Sequence, residues 1–334
     1  MGRTPVRSNS QSASQVAPAE RLLHKNGRYD YEPILGRLRA PWPDGKKLAL
    51  YIAVGVEDYD FGNGRVENLL DGIPAPDLVN ASWRDYGNRV GGFRLLQRLE
   101  SFGITPTILL NTAVYDSAPE LIVEARRLGS EIVGHGLSNS DSLGGMSEDE
   151  ERSYLEAVAE RIRLEEGEAP LGWSSPWLTH TENTLDLLAE SGYRYVMDLR
   201  ADDQPVNLQT RGGSLLAMPY GLELNDSTSM VGRAVSPADF ADMIIDEFEE
   251  LSLAANDQPL VMSVVLHTFI SGVPFRLRQL TRALEHIAKR GDDVWFARPR
   301  DIYEVLQAHV TPTRAGAIAD ATSYEPPVAL GDPR

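Results

Sequence analysis

A chain of 334 residues, 42% apolar and 24% charged, can bury a sizeable core as one α/β unit, so its length does not demand a second domain. Its 49 acidic against 32 basic residues leave a net charge of −17, a field that repels phosphate backbones and anionic headgroups. Nucleic acid and membrane are therefore excluded as partners, a small-molecule substrate is expected, and the lack of cysteine removes disulfides, thiolate nucleophiles and sulfur-ligated zinc.

In chain order, residues 1–20 are polar and lack the apolar region of a signal peptide, so they read as a disordered tail on a cytoplasmic protein. From about Lys46 onward, apolar β-rich runs alternate with segments of helical period, the signature of a parallel sheet wrapped by helices. Predicted strands are Leu48 to Val56, Thr105 to Leu110, Glu131 to Gly134, a short one near Gly172, Tyr193 to Met197, Ser214 to Pro219, Leu260 to Leu266 and Val294 to Ala297. That is about eight, the barrel number. Predicted helices fill the gaps: Gly92 to Phe102, Ala118 to Leu128, one capped by Ser147 and Glu150 and closed at Gly167, Thr181 to Ser191, one begun by Ser236 and Pro237, Phe275 to Lys289, and Arg300 to Ala308. The expected organisation is a barrel over 21–310 followed by a peripheral tail, 311–334.

In parallel α/β folds the chemistry collects just past the strand ends, and here those positions are polar: Glu57 and Asp58, Asn111, His135, Trp173 to Ser175, Asp198, Tyr220 and His267. Adjacent residues on a strand point to opposite faces, so Glu57 and Asp58 share one pocket only if the strand turns; read locally, they fit solvated loop acids equally well. His135, with Asn139 and Asp141 close behind, fits either a cation-binding loop or an ordinary turn. His267 ends the most hydrophobic run and fits general acid catalysis, with a core histidine as the rival reading. His24, His180, His286 and His309 read as structural or surface groups. No GxSxG elbow, phosphate loop, HExxH or complete dinucleotide fingerprint is present.

From about Tyr29 to Leu306 the sequence resembles the polysaccharide deacetylase superfamily (carbohydrate esterase family four), and within it the allantoinase and cyclic-imide hydrolase branch. GVEDY places Glu57 and Asp58 where that family has its paired acids, HGLSN is similar to its histidine motif with Asn139 at the second histidine's place, and VVLH keeps the terminal Leu-His. SSPW puts Ser174 where an arginine is usual. The resemblance to the allantoinase branch rests on DYGNRVGGFRLL from Asp85, PYGLELND from Pro219 and LHTFISGVPFR from Leu266.

It implies a deformed (β/α)7–8 barrel and hydrolysis of a small polar amide, ureide or cyclic imide, with Glu57 as base and His267 as acid. It implies Arg89, Trp173, Tyr220, Asn225, Asp226 and Arg276 as substrate contacts. Asp58, His135 and Asn139 would hold one zinc-like divalent cation if there is a metal, and the branch also allows none. A homo-oligomer is expected. N-deacetylation of acetylated amino sugars and a non-catalytic ligand-binding barrel are the alternatives.

Overall fold

The computed structural model describes residues 27–310 apart from 36, 38 and 39; the predicted tails, 1–20 and 311–334, and His24 lie outside the described residues. Nine strands form one sheet among these residues: β1 (Leu48–Val56), β2 (Thr107–Leu110), β3 (Glu131–Gly134), β4 (Gly172–Trp173), β5 (Tyr195–Val196), β6 (Val206–Thr210), β7 (Gly213–Ala217), β8 (Leu260–His267) and β9 (Val294–Phe296). Their order is β6-β7-β5-β4-β3-β2-β1-β8, with β9 on the first half of the β1 edge that β2 occupies further along. All pairings are parallel except the β6–β7 hairpin. Past β7 the chain returns to β8, where Val265 N–H donates to Leu224 O and Asn225 bridges Val265, so the sheet curls into a deformed barrel.

The period of two along each strand divides the apolar residues between two cores. Ala49, Tyr51 and Ala53 of β1 meet Leu109, Val133, Tyr195, Met197, Leu216, Met218, Val261 and Val265 inside the barrel. Leu48, Leu50, Ile52, Val54 and Val56 face outward, onto the apolar stripes of the surrounding helices. Phe240, Ile244, Phe248 and Leu251 are such a stripe on Pro237–Ala254, and Leu277, Leu280, Leu284 and Ile287 another on Pro274–Arg290.

Helix Glu148–Glu166 begins with the predicted reciprocal cap, Ser147 Oγ accepting from Glu150 N and Glu150 Oε2 from Ser147 N, and stops at Gly167 in the left-handed region. The elements not predicted include β6 and helices Leu78–Tyr86 and Val114–Ser117. β6 was missed because VNLQT buries only Leu208, and helix Leu78–Tyr86, capped by Asp77, was missed because Leu78 and Val79 are exposed. No helix among the described residues is long and apolar enough to cross a membrane.

Candidate active site

Strand parity carries the odd-numbered residues of β1, β3 and β8 inward to the carboxyl-terminal mouth of the barrel, where Glu57, His135 and His267 meet. Glu57 Oε1 lies 3.5 Å from His135 Nε2 and 3.3 Å from His267 Nε2. Its other oxygen, Oε2, accepts from the Tyr59 hydroxyl at 2.7 Å, and its main-chain carbonyl accepts from Asn88 Nδ2. The approach is close enough that a Cβ on Gly55 would sit 3.0 Å from His267 Cδ2 and 3.1 Å from Glu57 Oε1, so this turn of β1 has no room for a side chain.

Each imidazole is fixed from behind. His267 Nδ1 lies 2.6 Å from Asp226 Oδ1, while Asp226 Oδ2 accepts from His267 N at 2.9 Å and from Ser271 Oγ at 2.5 Å. His135 Nδ1 lies 2.8 Å from the Ser174 carbonyl. A carbonyl only accepts, so Nδ1 carries a proton and the ring turns Nε2 toward Glu57. Gly136, with φ of +82°, follows at once; a Cβ there would strike the Tyr154 hydroxyl and the Pro176 ring.

Burial by itself would raise the Glu57 carboxyl and lower the His267 imidazole, yet the charges and hydrogen bonds reverse both. His267, with further help from His135, holds Glu57 well below the usual carboxylate range, and Glu57 with Asp226 holds His267 well above the usual imidazole range. At neutral pH the pair is a carboxylate facing an imidazolium.

Asp58 does not join them. Parity turns its carboxylate outward to accept from Ser117 Oγ at 2.5 Å, into a groove lined by Asp85, Asn88 and Arg89, although its main-chain carbonyl accepts from Asn139 N. Asn139 Nδ2 donates to the Tyr59 hydroxyl, completing a relay to Glu57, and its buried Oδ1 has no partner among the described residues. Among the described residues no three His, Cys, Asp or Glu side chains are arranged to hold a metal ion. With the Asp58 carboxylate turned away to Ser117, the expected donors Asp58, His135 and Asn139 do not converge, so the residues present do not fit a metal.

The implied substrate contacts separate. Trp173 is a core residue, fully buried against Tyr193 with Nε1 bonded to Ser175 Oγ, because an odd-numbered residue of β4 faces the helices. Asp226 is fully buried behind His267 and positions it. Arg89 is exposed in the Asp58 groove. Tyr220 and Asn225 are buried inside the mouth, and Arg276 lies on the first turn of its helix, within the field of Asp226.

The sequence reading passed over three groups. His180 Nε2 pairs with Asp198 Oδ2 at 2.8 Å, and Asp198 Oδ1 accepts from the hydroxyl of Ser174, the residue whose carbonyl holds His135. Burial opposes the charge on His180, but Asp198 raises its pKa overall. Glu67 comes from the segment that crosses the mouth: Arg65 N donates to Ser140 O, Arg84 to Glu67 O, and Ser227 Oγ to Glu67 Oε1. Phe269 packs edge-on to His267, Tyr59 and Trp83. A chain-order reading has no signal for these, since their roles come from contacts. A cavity of about 710 Å³ lies elsewhere, around Arg37, Asp202 and Asp203; Asp203 O accepts from Val261 N at the opposite end of β8.

The class this defines is a curled α/β barrel with a carboxylate and two imidazoles at the strand ends. No protein-family model matches the chain. It is 24% identical over 263 residues to the peptidoglycan deacetylase of Helicobacter pylori, covering 67% of this chain and 86% of that protein. Among solved structures it is 27% identical to Puue allantoinase with a TM-score of 0.73, covering 85% of this chain and 100% of the other. It is 25% identical, with a TM-score of 0.72, to a "probable Polysaccharide deacetylase" from Pseudomonas aeruginosa PAO1, covering 84% and 99%. These likenesses in sequence and fold support the polysaccharide deacetylase superfamily for this chain.

Proposed function

We propose that this protein hydrolyses a carbon–nitrogen bond other than a peptide bond, in a small polar amide, ureide or cyclic imide. The observation that carries the reading is the Glu57–His267 pair, a base held anionic and an acid held cationic 3.3 Å apart. Glu57 Oε1 and His135 Nε2 face each other at 3.5 Å, and a water seated beside them can donate to the Glu57 carboxylate. Glu57 takes a proton as that water's oxygen adds to the amide carbonyl, and His267 Nε2–H protonates the nitrogen as the carbon–nitrogen bond breaks. Passing the Glu57 proton to His267 Nε2 restores the starting state. Asp226 keeps the His267 ring in place throughout.

Glu57, His135 and His267 are only 5%, 6% and 9% exposed, which favours a small substrate over a polymer. Likeness to Puue allantoinase at 27% identity points the same way. The similarity to a peptidoglycan deacetylase favours a second reading, removal of an acetyl group from an amino sugar.

Wild type, Glu57→Gln and His267→Ala are to be assayed against hydantoins, ureides and N-acetylated sugars. Turnover of the first two classes, reduced about 10²- to 10⁴-fold in each variant, supports the proposal. Turnover of the sugars alone selects the second reading, and turnover of none with retained ligand binding selects a non-catalytic barrel.

A further inference from the structure

The proposed reaction leaves two charged groups near the site without a role. Arg276 is half-buried, and among the described residues its enclosed Nε has no hydrogen-bond partner and the side chain belongs to no ion pair. Its guanidinium rests over the ring of its neighbour Phe275, 5.4 Å from the centroid. Burial pulls its pKa down, and the single charge opposing this is Asp226. That carboxylate is already committed: Oδ1 to His267 Nδ1, Oδ2 to His267 N and Ser271 Oγ. The same helix shows the ordinary alternative at Arg282, which pairs with Asp242 in a chain of 49 acids to 32 bases. A half-buried guanidinium whose Nε is shut off from water and left unmatched, amid such an excess of carboxylates, is better satisfied when a ligand brings the anion.

Glu67 is the complementary case. Oε1 accepts from Ser227 Oγ at 2.6 Å and Oε2 has no hydrogen bond among the described residues. Burial raises its pKa, and the fields of His267, Glu57 and Asp226 all reach it. A ligand's anion is repelled from the Glu57 and Glu67 side, whereas an N–H there finds an idle acceptor.

We propose that the substrate carries a carboxylate that seats on Arg276, with the N–H of its amide or ureide group directed to Glu67. This deepens the hydrolase reading and rests on it for the placement of the scissile bond over Glu57 and His267.

The test is calorimetric binding of two matched pairs, hydantoin-5-acetic acid with its methyl ester and N-carbamoyl-β-alanine with its methyl ester, each pair differing only in the carboxylate. In wild type the acids are expected to bind about 10- to 100-fold tighter than the esters, the worth of one charge-assisted contact. Arg276→Ala removes that ratio, Arg276→Lys restores part of it, and Arg282→Ala keeps it. Glu67→Ala weakens acid and ester alike. Equal affinity of acid and ester in wild type, an unchanged ratio in Arg276→Ala, or binding of none of the four overturns the proposal. Acids that bind through Arg276 and are never hydrolysed leave the anion site standing and sink the hydrolase reading, so the two failures are distinct.

Discussion

Replacing Asp226 by Asn tests whether His267 is poised as an acid by its surroundings. Two carboxylates act on that imidazole, Asp226 at 2.6 Å and Glu57 at 3.3 Å. The bare Coulomb energy at 2.6 Å is about 6 kcal/mol at an effective dielectric of 20, a ceiling, because the amide keeps part of the hydrogen bonding. Opposite charges at contact range usually shift a pKa by about 1–3 units, or roughly 1.4–4 kcal/mol, and a fall of that size is expected for His267. Asparagine also offers a single oxygen to three donors, His267 N–H, His267 Nδ1–H and the Ser271 hydroxyl, while its own NH₂ meets no acceptor there.

The assay is a pH titration of the His267 ring by NMR on histidine-labelled protein, needing no substrate, alongside kcat on any substrate found, which should fall about 10²- to 10⁴-fold. Stability follows with a definite sign. A histidine whose folded pKa is raised contributes its full stabilisation below its unfolded pKa of about 6.5 and loses it as pH rises through the folded value. The deficit in melting temperature of the variant should therefore be widest below about pH 6.5 and narrow on the alkaline side. An imidazole that titrates at the same pH in Asp226→Asn as in wild type refutes the reasoning.

Further outcomes follow from the same geometry. Because Glu57 is held below and His267 above their usual ranges, kcat/KM should be level across neutral pH, and a sharp loss between pH values of about 6 and 7 would contradict the assignment. Gly55→Ala puts a methyl 3.0 Å from His267 Cδ2, so the protein should fold yet lose about 10- to 100-fold in kcat; a wild-type rate with an unchanged melting temperature would show that the two side chains do not need this spacing. Glu131, enclosed at the start of β3 between the Tyr195 hydroxyl and Arg300 N, has its carboxyl pushed up to about 8 by burial. An acid raised on folding is most favourable below its unfolded pKa of about 4.3 and loses stabilisation as pH climbs to about 8, so Glu131→Gln should melt higher than wild type at pH 8 by more than at pH 5. Equal gaps at the two pH values would count against a charged, desolvated Glu131.

The amino-acid sequence determined the alternation of β-rich and helical segments, the caps of helix Glu148–Glu166, and the polar residues at strand ends, since each is written in spacing and local chemistry over a few residues. Glu57, His135 and His267 were legible because a parallel barrel sends the ends of its strands to one mouth. Only tertiary structure decided which neighbour of an adjacent pair enters that mouth: β1 keeps its pleat to the end, so Glu57 turns in and Asp58 turns out to Ser117. The parts of Asp226 behind His267, of Trp173 in the core, of Glu67 across the opening and of His180 on Asp198 are likewise set by partners distant in the chain. A side chain's type reveals what it is able to bond; which bond it makes depends on what the folded backbone brings within about 3 Å of it.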